Sequence, residues 1–175
     1  MGRKVVRRHQ YADYLNVGTS ETPSWALMGA GFTTLDENPN AQTESVKYVN
    51  ERSASSSVDS YETQFPFEAH QIVEEAAIDA IYSIGRNHYV GDDAELEYCR
   101  VELWNQATTT ETVEEEEVET PIANTFEARK FLVAVEVSSI AGENKMAISG
   151  NLNAVGDPVL GTFNTATKTF TAASA

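Results

Sequence analysis

Apolar residues recur with a helical period in one stretch, His70 to Ile84, HQIVEEAAIDAIYSI. Ile72, Val73, Ala76, Ala77, Ala80, Ile81 and Ile84 form a stripe at about 3.6 residues per turn, with Glu74, Glu75 and Asp79 turned away. The pattern predicts one amphipathic helix, preceded by Pro66 and ended by a left-handed cap at Gly85. Most other apolar positions alternate with polar ones, the two-residue period of strands. A lone amphipathic helix needs an apolar surface beneath it. The expected fold class is therefore mainly β with one flanking α-helix.

In chain order, residues 1–22 are polar and mixed, and read as an N-terminal arm. Trp25 to Leu35 is apolar with Gly29 and Gly31, a first strand or tight bend. DENPN at Asp36 to Asn40 is a turn signal. Thr43 to Glu51 and Ser55 to Phe65 read as a long polar hairpin, with Glu44, Lys47, Glu51, Asp59 and Glu62 outward. Neither strand has a strong apolar face, so the hairpin should pair with neighbours in the same chain or another. In ELEYCRVELW, Leu96 and Tyr98 share a parity and Val101 and Leu103 the other, which suggests a β-bulge near Cys99 and Arg100. Residues 107–120 read as an acidic surface loop. Phe126 to Val137 has apolar residues on both faces and should be a central strand. Met146 to Ala154 is a half-buried strand, and Val159–Phe163 with Thr167–Thr171 a closing hairpin.

The length of 175 residues suits a single domain spanning 1–175. No stretch is apolar for long enough to span a bilayer, and Arg3, Lys4, Arg7 and Arg8 are not followed by the apolar core of a secretory signal. The net charge is −15, which argues against ordinary DNA binding. Charge is unevenly placed. The first eight residues carry four basic groups, whereas ETVEEEEVE at 111–119 carries six acidic ones.

Candidate chemistry is sparse. One cysteine, Cys99, excludes an intramolecular disulfide and reads as a buried structural thiol. His9, His70 and His88 lack metal-ligand spacing, and Asp92, Asp93 and Glu95 lack the periodicity of a calcium loop. No phosphate-cradling loop or nucleophile elbow occurs. The expectation is a non-enzyme without catalytic, cofactor-binding or metal-binding residues.

AISGNLNAVGDPVLGTFNTATKTFTA, from Ala147 to Ala172, resembles the closing segment of the major tail proteins of long-tailed bacteriophages, the tail-tube subunits found especially in phages of Gram-positive hosts. EAHQIVEEAAIDAIYSIGRN resembles that family's single helix, and the polar hairpin leading into QFPFEAH is also similar. The resemblance covers residues 25 to 172, without 107–120. It implies a β-sandwich or half-barrel subunit forming homohexameric rings that stack into a tube, the subunits' sheets joining in one continuous β-barrel. The 43–65 hairpin would then face the lumen or pair with a neighbour, removing its exposed edges. Val49 lies in it, and Arg3, Lys4, Arg7 and Arg8 would form an assembly arm. Carboxylates lining the lumen would let DNA slide through unbound. The implied partners are further copies of the chain and the tape measure, tail terminator and baseplate proteins. The implied location is the virion tail, with assembly in the host cytoplasm. Alternatives are another ring-forming virion component, such as a tail terminator, head–tail connector or baseplate hub subunit, and a soluble binding module or enzyme.

Overall fold

The computed structural model describes residues 3–113 and 116–174, with side chains 111–113 and 116 left aside. Its strands are β1 (Tyr11–Asn16), β2 (Trp25–Leu27), β3 (Phe32–Leu35), β4 (Ala41–Val46), β5 (Ser55–Tyr61), β6 (Gln64–His70), β7 (Glu95–Val113), β8 (Glu116–Ala141), β9 (Ala147–Ala154), β10 (Val159–Asn164) and β11 (Thr169–Ala172). One α-helix, α1 (Ala76–Asn87), precedes β7. The fold is mainly β with one flanking helix, and its main sheet curls into a half-barrel.

The main sheet runs β2-β1-β7-β8-β9-β6-β3, and among the described residues β4 pairs only with β5, in a separate two-stranded sheet. β8 is the central strand the alternation predicts. Along one edge it pairs with β7. Along the other it pairs first with β10, through residues 125–130, and then with β9, through residues 133–141.

Strand alternation sorts the sheet into two cores. On the concave face, the cross-strand row Leu15–Tyr98–Phe131 is buried, together with Val133, Val135, Phe65 and Leu152. Ile78, Ile81 and Ile84 of α1 lie on this face, each at most 6% exposed. On the other face, Tyr14, Trp25, Cys99, Val101, Ala128 and Phe163 form a second core. There the Tyr14 and Phe163 rings stack with centroids 4.4 Å apart.

Several expectations change. The helix begins at Ala76 and not at His70, because His70 still pairs with Ala147 at the end of β6, and Ile72 and Val73 lie exposed on the connection. Its left-handed cap is His88, at φ 55°. Gly85 lies within the helix, where an added Cβ would stand 2.8 Å from a Val137 methyl. Glycine is required there by close approach to β8 and not by a turn. The proposed bulge at Cys99 and Arg100 is also absent. Both pair regularly, and the register slips between Val101 and Gln106. The change of parity reports two buried faces. β8 has apolar cover on both faces only in part, since Leu132 is 40% exposed.

The arm is shorter than 1–22. Tyr11–Asn16 is a sheet strand whose last four residues are buried. Its polar residues disguise it. The Asn16 carboxamide accepts from the Gly18 and Ser24 amides at 3.0 and 2.8 Å and donates to Glu97, so its polarity is satisfied within the fold. The loop expected over 107–120 is not what the described residues form: 107–113 and 116–120 are the distal ends of β7 and β8, paired from Thr108↔Pro121 to Val113↔Glu116, and 114 and 115 lie outside the described residues. Thr108–Thr110 and Glu117–Thr120 are exposed.

Candidate functional site

The concave face carries a second cross-strand row, two residues beyond Leu15–Tyr98–Phe131. It is Asp13–Arg100–Arg129. Two like charges directly opposite one another destabilise a sheet unless carboxylates separate them. Asp13 flanks the pair on β1. Glu37, on the β3–β4 connection, reaches in from across the barrel. Its carboxylate takes both Arg129 terminal nitrogens, at 2.6 and 2.8 Å. Arg100 Nε lies 3.6 Å from Glu37 Oε2 and 3.8 Å from Asp13 Oδ1, within ion-pair range of both and hydrogen-bonded to neither. Asp13 is 2% exposed, and each of its oxygens has a donor: Tyr98 Oη at 2.5 Å and Arg8 Nη2 at 2.6 Å. Burial, then the Asp13 charge, holds the Tyr98 phenol well above the ordinary tyrosine range. The Arg129 guanidinium is also held up, first by its hydrogen bonds to Glu37.

This charged row lies beside the opening of the half-barrel. A groove of about 720 Å³ separates β1 and β2 from β3, lined among others by Arg8, Tyr11, Asp13, Met28, Phe32 and Leu35. Arg8 spans it. Its Nη2 donates to Asp13 and, at 3.2 Å, to the Leu35 carbonyl on β3. Of the arm cations, Arg3, Lys4 and Arg7 are exposed and form no ion pair among the described residues. Arg8 differs because it is committed within the subunit.

The polar hairpin expected over 43–65 is the β4–β5 sheet. Every residue of its strands, six in β4 and seven in β5, is exposed. Thr43↔Val58 and Ala41↔Tyr61 put an apolar patch on one face, with Val58 53% and Tyr61 64% exposed. Glu44 lies in β4 opposite Ser57. Asp59 is the extra residue of a bulge, since Gln42 pairs with Ser60 and Thr43 with Val58. Lys47, Val49 and Glu51 lie beyond the ladder in the connecting turn, where the Glu51 amide donates to the Tyr48 carbonyl. Glu62 closes the base, its amide donating to Asn40 O at 3.2 Å. Asn38 and Gln64 exchange backbone hydrogen bonds there, at 2.8 and 2.9 Å.

No group of three or more His, Cys, Asp or Glu able to hold a metal occurs among the described residues. Asp92 and Asp93 sit exposed in a short 3-10 turn before β7. Cys99 is fully buried, and burial pushes its thiol far above the usual range. No described helix is long and apolar enough to cross a membrane. Sequence reasoning found the hairpin but missed the Asp13–Arg100–Arg129 row, because nothing local to 13, 37, 100 or 129 marks them as neighbours. Comparison with family models and with curated proteins returned no match for this chain.

Proposed function

We propose that the chain is a self-assembling structural subunit, the tail-tube protein of a long-tailed bacteriophage. Copies form hexameric rings, the rings stack, and DNA passes through the lumen without specific binding. One observation carries the reading. The β4–β5 sheet leaves the body with all its strand residues exposed. A two-stranded hairpin is marginal at best in water. It also presents two unpaired edges and an apolar patch, a template for strand addition. A second copy of the chain supplies the missing partner, and repetition around a ring removes the edges altogether. The resemblance over residues 25 to 172 supports the same reading, as does the net charge of −15, which keeps phosphate from adhering to the lumen.

Negative-stain microscopy of the purified full chain tests the proposal. Tubes of stacked rings are expected. Single rings that never stack would instead favour a terminator or connector, and a dispersed monomer at high concentration would overturn the reading. A variant in which two glycines replace residues 41–61 should fold yet form no rings, because Asn40 and Glu62 are already hydrogen-bonded across the base.

A further inference from the structure

The arm and the hairpin, the two elements that the assembly reading sends to neighbouring copies, meet inside the subunit. The arm is rooted at Arg8, which holds Asp13 and the Leu35 carbonyl. The hairpin is rooted at Glu37 and Asn38, two and three residues past Leu35. Arg100 stands between, at 3.6 to 3.8 Å from the carboxylates of Glu37 and Asp13. Its side chain is 7% exposed, so it has little solvent to turn to if either carboxylate moves.

We propose that Arg8 is a positioning residue for the hairpin, and that Arg8, Asp13, Arg100 and Glu37 form a latch coupling the arm to the direction in which β4–β5 leaves the body. With the arm folded back, Arg8 satisfies one Asp13 oxygen and pins the end of β3. Arg100 is then shared between Asp13 and Glu37, and Glu37 keeps its two-pronged grip on Arg129. Drawing the arm onto another copy withdraws Arg8. Asp13 then has Arg100 as its nearest cation, Arg100 turns toward it and away from Glu37, and the free Leu35 carbonyl loosens the β3 end. The hairpin base at Asn38 and Gln64 gains freedom to swing. An arriving copy that takes the arm thereby releases the hairpin for the next contact. The assembly role of this latch rests on the function proposed above, but the coupling itself is a property of one subunit.

Amide hydrogen exchange on the dispersed subunit, held at low concentration, tests it with Arg8→Gln and with Arg7→Gln as control. Arg8 is half exposed, so its replacement leaves the core packed. The latch predicts that Arg8→Gln lowers protection at Asn38 and Gln64 by roughly tenfold while core amides such as Val133 change little, and that Arg7→Gln alters neither. Arg8→Lys, which keeps a cation beside Asp13, should restore part of the protection. A merely structural role for Arg8 would lower hinge and core amides together. That result, or an unchanged hinge in Arg8→Gln, overturns the latch. If the wild type forms no rings but the hinge opens as expected, the latch stands and the tail-tube reading falls.

Discussion

Glu37 and Arg129 are 92 positions apart and joined by two short hydrogen bonds, so the root of the β4–β5 hairpin is tied across the barrel to its central strand. Without that carboxylate, Arg100 and Arg129 face each other on adjacent strands. Glu37→Gln should therefore cost about 2 kcal/mol, less than a fully buried pair because Arg129 keeps 28% of its side chain in solvent. Urea unfolding of the two proteins measures it. An unchanged midpoint would mean that the pair contributes nothing.

Ile81→Asp should prevent folding, because it places an unpaired charge at a site 1% exposed under α1, at a cost of about 4 kcal/mol or more. Val73→Asp, outside the helix and 81% exposed, should stay within about 0.5 kcal/mol of wild type. Circular dichroism melts of both variants separate the helix that forms from the longer one that periodicity suggests.

Tyr98 gives the protein an alkaline limit. Its folded pKa is raised above the unfolded value near 10, so the folded state keeps a proton that the unfolded chain releases. The stability this contributes is complete below about pH 10 and declines as pH rises above it. Tyr98→Phe removes the hydrogen bond to Asp13, lowering neutral-pH stability by roughly 1–2 kcal/mol, and should flatten the decline above pH 10. Melting temperature against pH for both proteins shows whether the slopes differ.

Cys99 should resist iodoacetamide in the native protein at pH 8 and react fully in denaturant. Its sulfur is buried and its thiolate disfavoured first by that burial and then by Asp13. Mass spectrometry of the native and unfolded protein decides this, and rapid native alkylation would place Cys99 at the surface.

Removing the exposed distal ends of β7 and β8 should cost the subunit little stability of its own. Thr108 pairs with Pro121, so an Asn-Gly turn replacing residues 109–120 closes the ladder there. The melting temperature of that variant should stay within a few degrees of wild type. A large fall would show that the exposed residues of the hairpin support the core.

The residues alone determined the class of the fold, because burial on one face imposes periodicity. The alternation Phe131–Val133–Val135 marked the central strand, the stripe through Ala77, Ile81 and Ile84 the helix, although it passed over the equally buried Ile78, and the serine-rich strands around residue 57 the polar hairpin. Local sequence misled where a tertiary partner supplied what the chain lacked nearby. Asp13 and Asn16 looked like arm residues because their polarity is satisfied by Tyr98, Arg8 and Glu97, far away in sequence or across a turn. The Thr- and Glu-rich segment looked like a loop because like charges repel, yet backbone pairing continued from the sheet below holds residues 108–113 and 116–121 as a ladder. Only the tertiary structure decided that Asp13, Glu37, Arg100 and Arg129 are neighbours. Register between β1, β7 and β8 sets that juxtaposition together with the curl that brings Glu37 across, and neither leaves a local mark in the sequence.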